Sequence, residues 1–203
     1  IMDVFTSEND DDTRRAMAGR YPAADIDEAL EELHALMAAR TLFAPDIDIP
    51  PTFAETGLVK SMCLMVAHDC NLRCRYCFGD TGEYGGGRQL MTKEVGEAAI
   101  EYIIKGSGPR IHCEVDFFGG EPLVNMPVVE HVTAYVRRRE RETGKKFKLT
   151  LTTNGLLLNE KNQKFLDDNH ISLVLSLDGR REVHDRMRPD AAGRGTYDRG
   201  LAN

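Results

Sequence analysis

The 203-residue sequence predicts an α/β fold built on a parallel sheet. Two observations carry this. First, short apolar runs alternate with amphipathic helical stretches four times in succession, which gives parallel strands with helices packed outside them. Second, the unusual residues ("CNLRCRYC", "GGEP", "TTNG" and "SLDG") all fall where a predicted strand ends. In an α/β barrel or open parallel sheet, that edge is where ligands bind.

The elements follow in order. Residues 1–44 read as a separate helical unit. "ADIDEALEELHALMAAR" places Ile26, Leu30, Leu33 and Met37 at helical spacing, with Asp25 as N-cap and Glu28 three residues later. A polar helix near "DDTRRAMAGRY" precedes it. Residues 45–57 form a proline-rich linker without periodicity. Residues 58–203 open with the buried strand "VKSMCLMVA", which runs into the cysteine loop. "TKEVGEAAIEYIIKG" is a helix capped by Thr92 and stopped by Gly106. "IHCEVDFF" is the second strand and ends in "GGEP". "MPVVEHVTAYVRRRERETG" is a long helix with Pro127 in its first turn and a basic, solvated end. "KFKLTLTTNG" is the third strand, "NEKNQKFLDDNH" a short helix and "ISLVLSLDG" the fourth strand.

Charge narrows the function. Residues 1–50 hold four Arg against twelve Asp and Glu, whereas the rest of the chain holds 22 basic and 21 acidic residues. The acidity therefore belongs to the N-terminal segment. A nucleic-acid partner is disfavoured, because neutralising phosphates needs a basic surface. The longest clearly apolar stretch, "ISLVLSL", is too short to span a bilayer, and no basic-then-apolar export signal opens the chain. The chain begins at Ile1 and stops at "YDRGLAN" without domain-ending logic, so it reads as a piece of a longer protein.

Five cysteines, an odd number, make no disulfide framework and fit a reducing, cytoplasmic compartment. Cys63 and Cys113 lie inside strands and read as small apolar residues. Cys70, Cys74 and Cys77 sit on one loop. Three thiolates can hold three irons of a cubane cluster and leave the fourth iron open for a chelating ligand. The alternative is a Cys3His zinc site with His68 or a distant histidine, which would make the protein a zinc-stabilised peptide-binding module without turnover. In "FGGEP", Gly119 and Gly120 let a ligand approach the backbone and Glu121 offers a carboxylate to an ammonium group. Ser176 has a hydroxyl suited to ribose or carboxylate, and Arg188 a fork suited to carboxylate. Thr153 and Asn154 stand at the third strand end, where Asn-Gly is also ordinary turn chemistry. His184 reads as loop structure.

Cys-x3-Cys-x2-Cys with an aromatic at Tyr76, followed one strand later by GGEP, resembles the radical S-adenosylmethionine enzymes. Over roughly residues 58–200, "CRYCF", "YGGGRQLM", "VDFFGGEPL", "TLTTNGLLL", "LSLDGRREVHDRMRP" and "GRGTYD" look like the maturases of SCIFF (six-cysteines-in-forty-five) peptides. That group carries a C-terminal SPASM-type domain and stands alongside the anaerobic sulfatase maturases.

The resemblance implies a partial TIM-like barrel, with four of its six strand–helix units in this chain. It implies a [4Fe–4S] cluster on Cys70, Cys74 and Cys77, and S-adenosyl-L-methionine chelated to the open iron. Tyr76 would lie against the adenine, Gly120 and Glu121 would meet the methionine ammonium, Ser176 the ribose or carboxylate, and Arg188 the carboxylate. Reductive cleavage would give a 5′-deoxyadenosyl radical that takes hydrogen from a ribosomally made, Cys-rich precursor peptide, leading to a thioether cross-link. An electron donor such as flavodoxin or ferredoxin is implied. Formylglycine formation of the sulfatase-maturase kind is the alternative. The N-terminal segment resembles the tail of a winged-helix element that takes a leader peptide as an added strand, with "MDVF" its last strand. The rest of the barrel and the SPASM domain would follow Asn203, so this stretch alone is expected not to turn over a precursor.

Overall fold

Residues 9–42 and 57–202 are described by a computed structural model. The chain divides into two units, Ile1–Glu55 and Thr56–Asn203. The linker and the expected "MDVF" strand lie essentially outside the described residues.

In the first unit, α1 (Asp10–Met17) is capped by Asn9, whose side chain accepts the Asp12 N–H at 3.0 Å. Asp10, Asp11 and Asp12 fill its first turn and Arg14 and Arg15 its last, which suits the helix dipole at both ends. Helix α2 (Ala23–Ala38) begins earlier than the sequence suggests: Asp25 lies in its first turn and is not its cap. Pro22 stands at the cap position with φ −58°, so its ring has already fixed the helical entry. Met17, Ile26 and Leu30 form the small shared core, and Arg14 Nε donates to Asp27 Oδ1 at 2.8 Å across the two helices.

The second unit runs β1 (Ser61–His68), β2 (Gln89–Leu90), α3 (Lys93–Gly106), β3 (His112–Gly119), α4 (Met126–Thr143), β4 (Lys146–Thr153), α5 (Glu160–Asp168), β5 (Ile171–Leu175), α6 (Arg181–Met187) and α7 (Tyr197–Leu201). The sheet order is β2-β1-β3-β4-β5. The pairs β1–β3, β3–β4 and β4–β5 are parallel, and the two-residue β2 pairs antiparallel with β1. The predicted mixed α/β architecture with a partial barrel's strand–helix succession is the observed one. Local signals delimit the elements: Thr92 caps α3 and Asn159 caps α5, while Gly144 ends α4 in the left-handed conformation at φ 73°. Residues 88–90 and 181–187 carry too short a pattern to announce β2 and α6.

Strand alternation divides the sheet into two faces. Leu64 and Val66, Val115 and Phe117, and Leu149 and Leu151 point to one side and are closed over by Ile100 and Ile103 of α3 and Val129, Val132 and Val136 of α4. Burial of each such side chain stabilises by roughly 1.5–3 kcal/mol. Cys113 belongs to this core at 1% exposure, as expected. Cys63 does not: it is exposed, because its neighbours Met62 and Leu64 take the helix-facing positions. The arginine run of α4 is likewise more than a solvated end. Arg137 donates to the Phe147 and Asn169 carbonyls, and Arg139 pairs with Glu101 of α3.

The end of β3 crosses the end of β1 at backbone distance. Gly120 N–H donates to the Ala67 carbonyl at 2.8 Å and Glu121 N–H to the Asp69 carbonyl at 2.9 Å. A Cβ on Gly119 would lie 2.4 Å from Ala67 O, and one on Gly120 2.3 Å from Asp69 O. Gly119 also has φ +134°, which L side chains rarely adopt. The glycine pair is therefore required first by the chain's own crossing.

Two substitutions test this packing. Gly96 of α3 lies against α4, where an added methyl would sit 2.4 Å from Val132 Cγ2. Gly96→Ala is expected to cost about 1–3 kcal/mol in denaturant unfolding, the range for overpacking. Gly120→Ala should cost at least as much, because backbone, not a side-chain rotamer, must move.

Candidate functional site

A cavity of about 180 Å³ opens at the C-terminal ends of the strands. Cys70, Cys74 and Cys77 line it from the loop after β1, Gly119 and Gly120 from the end of β3, Thr153 and Asn154 from β4, and Ser176 and Arg188 from the segments after β5. Tyr76, Phe78 and Tyr84 add aromatic walls. Thus seven of the eight residues expected at the site face one space, and Glu121 stands just behind it.

The cysteine loop is tied down on several sides. Asp69 Oδ1 accepts the Cys70 N–H at 2.8 Å. Arg73 and Arg75 donate their backbone N–H groups to the carbonyls of Pro189 and Met187, at 2.7 and 2.8 Å, so the loop runs alongside the segment carrying Arg188. Gly82, at φ +95°, packs where a Cβ would meet Cys70 Cβ and Gly120 Cα at 3.0 Å. The Cys70 sulfur takes the Leu72 N–H at 3.4 Å and lies 3.8 Å from Asn154 Nδ2. Burial, with the Glu121 carboxylate adding to it, pushes the Cys70 thiol up to about 11. Burial also raises Cys74, an effect that the Arg188 guanidinium partly offsets. Iron binding to these sulfurs would therefore release protons.

Glu121 is fully buried. Its Oε1 accepts Thr153 Oγ1–H at 2.7 Å and the Leu123 N–H at 3.1 Å, and its Oε2 accepts the Asn154 N–H at 2.8 Å. Burial raises its pKa, against the pull of these three donors. A carboxylate has about four acceptor positions, so most of this one is committed to joining the ends of β3 and β4. The side chain expected to meet an ammonium group thus also braces two strands, with one acceptor position left over. "TTNG" gains a role that turn chemistry alone does not give it. Thr153 and Asn154 grip Glu121, and the Asn154 amide reaches on to Asn71 Oδ1 at 2.7 Å.

On the opposite wall, Tyr76 Oη donates to the Asp178 carboxylate at 2.7–2.8 Å and accepts from Arg188 Nη1 at 2.7 Å. Arg188 Nη1 also pairs with Asp178 Oδ1 at 3.3 Å. Burial, then the bond to Asp178, raises the Tyr76 phenol to about 12, so it keeps its proton at neutral pH. Arg188 is 9% exposed, and among the described residues its Nε is buried without a hydrogen-bond partner. A guanidinium with one edge engaged and a buried N–H open on the other fits an incoming carboxylate. Asp178 and Asn71 were not singled out from sequence; Asp178 stands within "SLDG", where its partners Tyr76 and Arg188 are invisible.

The donor set therefore fits the expected group: unbridged thiols around one cavity, a wall free of Cβ atoms, and an orphaned buried Arg188 N–H. The His68 ring, considered as a fourth zinc ligand, packs against Tyr84 with centroids 5.2 Å apart. Among the described residues no three His, Cys, Asp or Glu side chains converge closely enough to hold one metal ion, and no helix is long and apolar enough to cross a membrane. A cubane asks less of convergence, since each thiolate meets a different iron.

Residues 56–201 match the family model described as a 4Fe-4S single cluster domain. The cysteine-type anaerobic sulfatase-maturating enzyme of Clostridium perfringens is 32% identical over 136 residues, covering 63% of this chain and 35% of that enzyme. The radical SAM cyclopropyl synthase TigE of Paramaledivibacter caminithermalis is 31% identical over 144 residues, covering 64% and 29%. Among solved structures, native anSMEcpe with bound AdoMet and Cp18Cys peptide aligns with a TM-score of 0.61 at 29% identity, covering 71% of this chain and 38% of that one. The chain spans about a third of the length of these curated relatives. The cofactors that go with this kinship are a [4Fe–4S] cluster and S-adenosylmethionine, which sets aside the zinc module. With the three-cysteine loop and the glycine-glutamate strand end set around one cavity, the chain belongs to the 4Fe-4S single cluster domain family, among the radical S-adenosylmethionine enzymes.

Proposed function

We propose that the polypeptide carrying this chain is a peptide maturase that forms thioether cross-links in a Cys-rich, ribosomally made precursor. One observation carries the cofactor half of the reading: three cysteines and a buried, half-satisfied arginine share a single cavity. Cys70, Cys74 and Cys77 would hold the cluster. Arg188 would present Nε and its free edge to the methionine carboxylate, with Ser176 close by. Gly120 would give the methionine end a wall without side chains, and Glu121 would offer the ammonium its remaining acceptor position. Tyr76 would flank the adenine while its hydroxyl keeps Arg188 in place. When bound, this pair of cofactors supplies one-electron cleavage of a carbon–sulfur bond and hydrogen abstraction by a 5′-deoxyadenosyl radical. The apolar and aromatic walls would exclude water from that step.

The peptide half rests on the "YGGGRQLM" to "GRGTYD" likeness to SCIFF maturases, a SPASM-carrying branch, and on relatives named for peptide or protein maturation. Helices α1 and α2, as the remainder of a winged-helix element, would serve leader-peptide recognition. Flavodoxin or ferredoxin would supply the electron. Formylglycine formation is the second reading, favoured by the 32% identity to a sulfatase-maturating enzyme.

Three measurements test this. Anaerobically reconstituted protein should be brown and carry about four irons, as a cubane requires; Cys74→Ala should lose both, and a colourless protein with one zinc would refute the cluster assignment. Arg188→Lys should keep its iron yet bind S-adenosylmethionine about 10–100-fold more weakly, the loss typical of a charge-assisted hydrogen bond. Incubated with reductant and Cys-rich peptides, the polypeptide carrying this chain should yield 5′-deoxyadenosine and a peptide that has lost two hydrogens with two residues joined. An aldehyde in place of the cross-link would select the second reading.

A further inference from the structure

The helix after "SLDG" supplies a buried histidine that is not among the residues lining the cavity. His184 is 3% exposed. Its Nδ1 accepts the Asp178 backbone N–H at 3.3 Å, so the ring proton is assigned to Nε2. Nε2 in turn donates to Thr196 Oγ1 at 3.1 Å, and that hydroxyl donates to the Arg188 carbonyl at 2.7 Å. The Arg188 N–H returns to the His184 carbonyl at 2.7 Å. Meanwhile the Arg188 guanidinium reaches Asp178 Oδ1 at 3.3 Å. These bonds close a ring: Arg188 side chain, Asp178, His184, Thr196, Arg188 backbone. Asp185 Oδ1 holds Thr196 in register by accepting the N–H groups of Thr196 and Tyr197, at 2.7 and 2.9 Å. The Tyr197 ring packs edge-on against His184 with centroids 5.6 Å apart.

From this closed ring we infer that His184 and Thr196 are positioning residues for Arg188, holding its backbone and, through Asp178, its guanidinium in one fixed relation beside the cavity it lines. The physical reason is entropic as much as energetic. A free arginine side chain carries about 2 kcal/mol of rotamer entropy, and a carboxylate ligand must otherwise offset the loss of that freedom on binding. Anchoring the side chain through Asp178 and the backbone through Thr196 settles it before the ligand arrives. Burial, and then the nearby Arg188 charge, lower the His184 pKa, which keeps the ring neutral and its Nδ1 able to accept.

The inference rests on the assignment of Arg188 to the carboxylate, and the test separates the two. S-adenosylmethionine is titrated calorimetrically into reconstituted wild-type protein, Thr196→Val, His184→Phe, Arg188→Ala and the Thr196→Val/Arg188→Ala pair, with iron content measured in each. Thr196→Val is expected to weaken binding about tenfold at unchanged iron content, and His184→Phe at least as much, with His184→Gln, which keeps a donor, recovering part of the loss. In the Arg188→Ala background Thr196→Val should change affinity less than twofold, the coupling expected of residues acting through one another. Wild-type affinity in Thr196→Val beside weak binding in Arg188→Ala would overturn the inference alone. Equal losses from Thr196→Val in both backgrounds would assign the relay a general structural role and overturn it as well. Wild-type affinity in Arg188→Ala would remove the carboxylate assignment and the inference with it. Should His184→Phe fail to fold, the Thr196→Val cycle decides.

Discussion

The crossing of two strand ends without side chains is the constraint on which the second unit depends. Where β3 leaves the sheet, Gly119 and Gly120 run against the backbone of Ala67 to Asp69 so closely that a single Cβ would overlap a carbonyl oxygen. Two backbone hydrogen bonds seal the crossing. The arrangement fixes the start of the cysteine loop, because Asp69 is both an acceptor in the crossing and the cap of the Cys70 N–H. It also drives Glu121 inward, where no water can solvate it. A buried carboxylate is costly unless its acceptor positions are filled, and Thr153, Asn154 and Leu123 fill three of them. The strand ends are thereby joined from β1 through β3 to β4, and the joint lies directly under Cys70.

The cavity has two kinds of wall, and their chemistry is complementary. On the Glu121 side the backbone is bare and the acceptors are mostly consumed. On the Arg188 side a cation is buried with one N–H unsatisfied. Burying a charge with incomplete partners costs stability, and such sites persist where a ligand completes them. The Tyr76 hydroxyl, standing between Cys74 and Cys77 in sequence, is a side-chain contact that couples this cation to the cysteine loop. The cysteine loop and the Arg188 side chain are therefore linked through this phenol, with Asp178 as the shared anchor, in addition to the two backbone hydrogen bonds to Met187 and Pro189.

Much of this was legible in the sequence. The alternation of strands and helices, the cap at Thr92 and the clustering of unusual residues at strand ends all follow from local chemistry: side-chain period, hydrogen-bonding side chains at helix starts, and glycines at the turns. What escaped notice was pairing over long separations. Tyr76 meets Asp178 across 102 residues, and Asn154 meets Asn71 across 83. The bracing role of Glu121 and the burial of His184, which reads as loop structure in the sequence, are hidden for the same reason: only their distant partners reveal them. Asp25 was misplaced because the preceding proline had already begun the helix.

By itself, then, the chain's order of residues determined which segments become strands or helices, that the chemistry gathers at one edge of a parallel sheet, and that three cysteines share one loop. Those are properties of neighbours along the backbone, governed by periodicity and by short spacings. The tertiary structure alone decided which side chains face the cavity and which support it from behind. That choice depends on desolvation and on the direction of individual hydrogen bonds, and these exist only once residues far apart in the chain are packed together.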